Sequence, residues 1–236
     1  MRVALVTGAA TGIGAATADL LEQRGLRVAR NHLPGQSVPG YSVAADVADP
    51  GQVQGMVERV RADLGPVEVL ICNAAHMVMG GIGEVGPDAF WKVIDTNLTG
   101  SFNCIRACAP AMADAGFGRI VTVASGWGVT GWPRASAYSA SMAGIISMTR
   151  AVARELGPAG VTANAIAPGV VDTPQLDVDG GDAGVSPAEI RARYDAEVPL
   201  GRVARPDEVA AMVAHLCSDE AGTITGQVVP VAGGAL

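Results

Sequence analysis

Short apolar runs rich in β-branched residues alternate with longer helical stretches along this chain of 236 residues. Strands that are apolar almost throughout are buried on both faces, and strands joined by helical crossovers run parallel. The pattern therefore predicts a doubly wound α/β fold, with a parallel seven-stranded sheet and helices on both faces. The predicted strands are residues 3–6, 26–29, 41–45, 67–71, 119–123, 161–166 and 228–231, and the predicted helices are residues 13–24, 50–64, 87–113, 136–156 and 206–217.

The chain is predicted to form one domain over residues 1–236, because its length suits one core better than two and no repeat or linker divides it. The longest loop-like interval is about residues 172–199. Ser186 and Glu189 form a capping-box pattern there, which predicts a short helix. Because an insertion past the carboxyl end of a strand is suited to cover a substrate, we expect this interval to be a substrate lid.

Composition excludes several classes of function. The chain is 49% hydrophobic and only 17% charged, below the roughly 25% of an average domain, which predicts apolar surface buried in a homo-oligomer. A net charge of -7 supplies no basic stripe for nucleic acid or an anionic membrane.

The apolar run before Gly8 is too short for a signal peptide or a membrane span, so we expect a cytoplasmic protein. The four cysteines lack disulfide density and metal-binding spacing, and no metal site is expected.

The segment from Thr7 to Gly14 reads TGAATGIG and joins the first predicted strand to the first predicted helix. Glycines in such a turn let the backbone approach a pyrophosphate, which then lies at the positive N-terminus of the helix. An ordinary strand-to-helix connection also uses glycine. The position of this turn at the start of a Rossmann-type pattern favours a dinucleotide site.

Further motifs follow in order: Asp46-Val47, Asn73-Ala74-Ala75, Asn97 in DTNLTG, Ser125, Tyr138 in YSASM, Pro168-Gly169 through Thr173, and ITGQVVPVAGG near the end. Together with TGAATGIG, they resemble the short-chain dehydrogenase/reductase family over essentially the whole chain. The segments GPVEVLICNAA, DTNLTGSF and ARELGPAGVTANAIAPG are most similar to β-ketoacyl-carrier-protein reductases.

The resemblance implies hydride transfer between a nicotinamide and a carbonyl or alcohol carbon. Tyr138 would then exchange the proton, Ser125 would hydrogen-bond the substrate oxygen, and Asn97 would hold a water in the proton relay. The residues implied to bind the cofactor are Gly8, Thr11, Gly12, Ile13, Gly14, Asn31, His32, Asp46, Val47, Asn73, Ala74, Ala75, Tyr138, Pro168, Gly169, Val171 and Thr173.

Met142 stands where the family has a lysine, four residues after the tyrosine. In the family that lysine lowers the pKa of the phenol and holds the nicotinamide ribose, whereas methionine has neither the charge nor the donors. Three interpretations stay open: an engineered or drifted loss in an ordinary reductase, a site adapted to dehydration, cyclisation or aldol chemistry, and a non-catalytic subunit paired with an active relative. His76 and Arg134 are candidate replacement cations, although a pocket or surface position suits each better.

Cofactor choice is predicted from the end of the second strand, where residues 30–33 read RNHL. A carboxylate there would bind the ribose hydroxyls and reject a 2′-phosphate. Since none is present, NADP(H) is favoured over NAD(H). Arg30 could reach the phosphate only if the strand end turned its side chain outward, and Leu33 stands where phosphate-accepting relatives usually have arginine or lysine.

The leading hypothesis is ketoreduction, or the reverse oxidation, of a 3-oxoacyl or polyketide-type substrate. The substrate would be a carbonyl compound that is free, linked to coenzyme A or linked to a carrier protein. Trp127 and Trp132 offer walls for an aromatic substrate, while Arg119 and Arg134 are candidate contacts for an acidic carrier protein. The resemblance also implies a homotetramer, and a hetero-oligomer with an active relative is the alternative.

Overall fold

The computed structural model describes residues 1–236, apart from the side chain of Asp182. Seven strands form one sheet in the order β3-β2-β1-β4-β5-β6-β7. Every neighbouring pair is parallel. The strands are β1 (Val3–Val6), β2 (Arg27–His32), β3 (Ser42–Ala44), β4 (Val67–Cys72), β5 (Gly118–Val123), β6 (Val161–Pro168) and β7 (Val228–Val231). The chain order reverses between β1 and β4, and the carboxyl ends of such strands are where ligands bind in open α/β sheets.

Helices cover both faces of this sheet. The helices are α1 (Gly12–Gln23), α2 (Pro50–Asp63), α3 (Pro87–Ile94), α4 (Gly100–Ala115), α5 (Trp127–Thr130), α6 (Ser136–Leu156), α7 (Gln175–Asp182), α8 (Pro187–Glu197) and α9 (Pro206–Leu216). Apolar residues of α2, α4 and α6 pack on one face, and those of α1 and α9 pack on the other. The doubly wound fold predicted from the sequence is therefore confirmed. Within the described residues, we find no helix that combines the length and the apolar character needed to span a membrane.

Three local features differ from the sequence-based expectations. The single helix predicted over residues 87–113 is two helices, α3 and α4, joined by a π-helical turn at Asp95–Thr99. The loop after Ser125 contains the short helix α5. The interval 172–199 contains two helices where one was expected. The expected capping box opens α8, because Ser186 Oγ accepts from the Glu189 amide at 3.2 Å and Glu189 Oε2 accepts from the Ser186 amide at 2.9 Å.

Candidate active site

Two adjoining cavities open at the carboxyl ends of the central strands. The outer cleft runs from the turn after β1 past the ends of β2 and β3. The inner pocket lies beside β5, β6 and α7. Residues shared by both are Ile13, Asn73, Ala75, Thr173 and Gln175. Since the two cavities share these residues, one extended ligand can occupy both.

The predicted site residues divide between the two cavities. Those that line the outer cleft are Gly8, Thr11, Gly12, Ile13, Asn31, His32, Asp46, Val47, Asn73, Ala74, Ala75 and Thr173. Those that line the inner pocket are Ile13, Asn73, Ala75, Ser125, Tyr138, Pro168, Gly169, Val171 and Thr173. Gly14 and Asn97 are not among the residues that line either cavity.

The turn between β1 and α1 needs its glycines. Gly8 and Gly12 have φ values of +62° and +58°, a region that L side chains adopt only with strain. A Cβ on Gly8 would approach Ala74 Cα to 2.8 Å, and one on Gly14 would collide with the Gly8 carbonyl. The turn is therefore drawn tightly against the end of β4.

The N-terminus of α1 opens toward the outer cleft. The N-cap residue Thr11 makes no side-chain capping bond, and the first turn carries no acidic residue. The first amides of a helix have no partner within the helix, and the helix dipole favours an anion there. This turn has the features of a phosphate-binding site, and the long cleft beside it can accommodate the remainder of a dinucleotide.

Two asparagines hold this turn in place through buried hydrogen bonds. Asn73 Nδ2 donates to the carbonyls of Thr7 and Gly8, both at 3.0 Å. Asn31 Oδ1 accepts from the Gly8 amide at 3.3 Å, while its Nδ2 donates to the Ala45 carbonyl at 3.0 Å. The side chains of both predicted cofactor residues therefore bind protein backbone, and their observed contacts shape the cleft.

The far end of the outer cleft has few charged groups. Arg30 does not turn outward, because its guanidinium is buried and forms ion pairs with Asp19 and Glu22 of α1, each at 2.7 Å. Desolvation and these two carboxylates act in opposite directions on the Arg30 pKa, and the net result is a raised value. His32 lines the cleft with Nδ1 2.9 Å from the Leu33 carbonyl. The conditional role of Arg30 in binding a 2′-phosphate is therefore not supported.

Ser125 and Tyr138 meet in the inner pocket. Ser125 follows β5, and Tyr138 lies in the first turn of α6, so the sheet edge and the helix bring them together. Burial raises the pKa of the Tyr138 phenol, a hydrogen bond from Ser125 lowers it, and the charge of Asp179 raises it, with a net increase. At neutral pH the phenol is protonated and is ready to donate a hydrogen bond or a proton.

Asn97 is completely buried in the π-helical turn. Its Oδ1 accepts from the His76 amide at 2.7 Å, and its Nδ2 donates to the His76 carbonyl at 2.9 Å and to Ser141 Oγ at 3.0 Å. Ser141 in turn donates to the Tyr138 carbonyl at 2.7 Å. These bonds link the loop after β4 to α6, so the observed contacts of Asn97 position the pocket wall. Its expected role in holding a water stays a prediction.

Met142 lies in an apolar cluster with Ala124, Ile145, Ile146 and Ala165, and only 1% of the residue is exposed. A Cβ on Gly128 would lie 2.7 Å from Met142 Cβ, so α5 and α6 pack closely at this point. The Met142 side chain therefore fills an apolar core against which Tyr138 packs.

The two candidate cations, Arg134 and His76, lie in different surroundings. Arg134 lies at an exposed position, 60% of its side chain is accessible, and it forms an ion pair with Glu84 at 3.1 Å. His76 lines the inner pocket, but burial and the nearby Lys92 lower its pKa, so its ring is neutral at pH 7.

Arg119, a candidate contact for a carrier protein, is nearly buried near the amino end of β5 and lies over the Phe117 ring. This position is far from the pocket mouth, which lies at the carboxyl ends of the strands.

The lid interval contributes residues that the sequence analysis did not single out. Gln175 and Asp179 of α7 and Tyr194 of α8 line the inner pocket. Nothing in the local sequence marks them, because their position depends on how α7 and α8 pack over the sheet edge. Trp127, which also lines the inner pocket, stacks on Trp132 with ring centroids 5.1 Å apart and meets Tyr138 edge-on at 6.0 Å.

Across the side chains that the structure describes, no group of three or more His, Cys, Asp or Glu residues is arranged to hold a metal ion.

Comparison with known proteins agrees with this geometry. Residues 8–235 match a family model described as enoyl-(acyl carrier protein) reductase. The chain is 38% identical over 245 residues to cis-4-hydroxycyclohexanecarboxylate dehydrogenase of Sinomonas cyclohexanicum, covering 99% of this chain and 96% of that protein. It is 37% identical over 241 residues to acetoacetyl-CoA reductase of Shinella zoogloeoides, covering 99% and 98%.

A solved structure supports the same assignment. An actinorhodin polyketide ketoreductase with NADPH is 36% identical, with a TM-score of 0.93 and coverage of 99% of this chain and 97% of that one. The resemblance on which the sequence analysis relied is therefore confirmed. This chain is an enzyme of the short-chain dehydrogenase/reductase family, whose members are oxidoreductases that use NAD(P)(H).

Proposed function

We propose that this protein is an NADP(H)-dependent ketoreductase that reduces a carbonyl carbon of a 3-oxoacyl or polyketide-type substrate. The single observation that carries this proposal is the state of Tyr138. Its phenol lies beside Ser125 in the inner pocket, and its pKa is raised above the ordinary value. A protonated phenol suits reduction, because an alkoxide forming at the substrate is a far stronger base and takes the proton readily.

In the proposed reaction, Ser125 and Tyr138 both hydrogen-bond the substrate carbonyl oxygen. As negative charge develops on that oxygen, the Tyr138 hydroxyl transfers its proton, and the Ser125 hydroxyl stabilises the charge. The reverse oxidation needs the Tyr138 phenolate, whose fraction at neutral pH falls tenfold for each unit by which the pKa is raised. At neutral pH the prevailing form of Tyr138 is therefore the protonated phenol that reduction requires, while the concentrations of the reactants set the balance between the two directions.

The outer cleft fits a nicotinamide dinucleotide. The turn at Gly8 and Gly12 and the uncapped N-terminus of α1 would hold its pyrophosphate, and Asp46 and Val47 would flank the adenosine. When bound, this cofactor supplies the hydride. NADP(H) is supported by the lack of a described carboxylate at the end of β2. Since the buried Arg30 supplies no contact, we expect only weak preference for NADPH over NADH, below about tenfold.

Apolar and aromatic walls support a ring-containing or polyketide-type carbonyl substrate. The inner pocket is bounded by Met77, Trp127 and Val170, and aromatic side chains pair favourably with flat rings. The comparison with acetoacetyl-CoA reductase supports a 3-oxoacyl substrate, and the comparison with a polyketide ketoreductase supports a polyketide-type one. Arg134 lines the cavity beside the inner pocket, and its ion pair with Glu84 weakens the case for docking of an acidic carrier protein.

The test combines cofactor binding with the pH dependence of reduction. Calorimetry should detect micromolar binding of NADPH. Reduction of a cyclic aryl ketone should be nearly independent of pH from about 6 to 9, because Tyr138 stays protonated until the pH approaches its raised pKa. Tyr138→Phe should lower kcat by about 10²-fold or more while NADPH binding stays intact. No binding of either dinucleotide would exclude the redox assignment.

A second candidate is a non-redox acid–base enzyme on the same site. It is favoured by the burial of Met142 and the lack of a described cation beside the Tyr138 phenol. In that case product would form without NADPH consumption, and Tyr138→Phe would still abolish it. A silent subunit would instead be inert alone and active only when expressed with a catalytic relative.

A further inference from the structure

We propose that the Asp179 carboxylate selects the substrate of this pocket, accepting a hydrogen bond from a hydroxyl group of an uncharged carbonyl compound and disfavouring compounds that carry a carboxylate. This inference rests on the proposed function for the identity of the reacting group. Binding alone tests it, because selection by Asp179 does not require turnover.

Asp179 faces the space where a substrate would lie. It lines the inner pocket with Tyr138. It also lines a third cavity, distinct from the outer cleft, that Met77 and Trp127 border. The carboxylate is one of the groups that raise the pKa of Tyr138. Its field therefore extends to the position where the carbonyl oxygen would be held.

Two neighbours fix the Asp179 side chain. Gln175, one helical turn earlier on α7, donates from Nε2 to Asp179 Oδ1 at 2.9 Å. Tyr194 of α8 hydrogen-bonds to the same carboxyl group, and burial together with Asp179 raises the pKa of the Tyr194 phenol. These contacts hold the carboxylate at the wall of the pocket that a substrate would enter.

The charges around this carboxylate offer little compensation for a second anion. Among described residues that line the inner pocket and the third cavity, Arg134 is the permanent cation, and it is paired with Glu84 and largely exposed. His76 is neutral at pH 7 because its pKa is lowered. A carboxylate on the substrate would therefore lose its hydration and meet a like charge.

Aromatic and thioether side chains line the same pocket. Trp127 meets Tyr138 edge-on and stacks on Trp132. Met77 also lines the inner pocket. An apolar ring packed against these side chains, with its carbonyl oxygen at Ser125 and Tyr138, would lie in the pocket that Asp179 also lines. The substrate class is thus an uncharged ring ketone with a hydroxyl group remote from the carbonyl.

The test uses two ketones with the same ring, 4-(hydroxymethyl)cyclohexanone and 4-oxocyclohexanecarboxylate. Binding is measured by quenching of tryptophan fluorescence, because Trp127 lines the pocket. We expect the wild-type protein to bind the hydroxymethyl compound about tenfold or more tightly than the carboxylate. NADPH consumption with each ketone is recorded separately.

Asp179→Asn removes the charge with little change of shape, and Asp179→Glu keeps the charge. We expect the first substitution to reduce the preference at least about fivefold, mainly through tighter binding of the carboxylate, and the second to retain it. Asp177→Asn is the matched control. It removes the same charge from an exposed position on α7 and should leave the preference unchanged.

Each outcome decides the inference. Equal binding of the two ketones, no binding of the hydroxymethyl ketone, or equal effects of the substitutions at 177 and 179 would overturn it. A preference that depends on Asp179 without NADPH consumption would uphold the inference and contradict the ketoreductase assignment.

Discussion

Met142→Lys tests whether a cation at position 142 lowers the pKa of Tyr138, which burial raises. Residues four apart on a helix have Cβ atoms about 5–6 Å apart. At about 5 Å and an effective dielectric near 20, an ammonium attracts a phenolate by about 3 kcal/mol, which corresponds to about two pKa units. Because Met142 is buried among apolar side chains, the ammonium must extend toward the cavity to reach this limit.

The expected result is a shift in the pH profile of alcohol oxidation with NADP⁺. In the wild-type protein this rate should rise tenfold per pH unit up to the raised pKa of Tyr138. In Met142→Lys the midpoint should fall by up to about two units, and the rate at pH 7 should rise up to about 100-fold. Phenolate absorbance, recorded as a difference from the same variant carrying Tyr138→Phe, should show the same shift, since Tyr41 and Tyr194 also titrate.

Two controls separate charge from other effects. Met142→Gln has a similar length and no charge, so it should leave the midpoint unchanged. Ser147→Lys adds the same charge at an exposed position of α6 and should also leave it unchanged. If Met142→Lys retains its thermal stability and cofactor binding but its midpoint does not move, the electrostatic explanation of the Tyr138 pKa is wrong.

Three other substitutions test the fold and the assembly. Gly12→Ala should weaken NADPH binding and cost about 1–2 kcal/mol in urea unfolding, because φ is +58° there; unchanged binding would contradict the phosphate-turn assignment. Asp49→Ala should lower the free energy of unfolding by about 1 kcal/mol, since Asp49 caps α2 by accepting from the amides of residues 51 and 52, and an unchanged urea midpoint would exclude this role. If the protein is a tetramer, light scattering should give a mass of four times 23.8 kDa. Trp91→Ser, which alters an exposed aromatic of α3, should lower that mass if the exposed face of α3 is the interface.

Features encoded over short stretches of chain could be predicted from the sequence. The strands and their parallel arrangement follow from continuous apolar runs separated by helices, and the capping box at Ser186 follows from four residues. The turn containing Gly8 and Gly12 has the positive φ values that its glycines allow. Ser125 and Tyr138 line one pocket, as the family resemblance implied. Ser125 follows the carboxyl end of β5, and Tyr138 lies in the first turn of α6.

Features that depend on contacts between distant segments could not be predicted. Arg30 was a candidate phosphate contact until its ion pairs with α1 placed it inside the fold. The packing of α7 over the pocket brings Asp179 to Tyr138, although 41 positions separate them in the chain. The burial of Met142 likewise depends on the close crossing of α5 and α6.

The amino-acid sequence by itself determined the fold and the glycine turn, because periodicity and glycine conformation act locally, and its resemblance to a known family pointed to the pair Ser125 and Tyr138. Only the tertiary structure decided which charges face the ligand. A side chain's charge acts through space, and its solvation and partners depend on segments far away in the chain. For this enzyme, those partners raise the pKa of Tyr138 and place Asp179 in the same pocket.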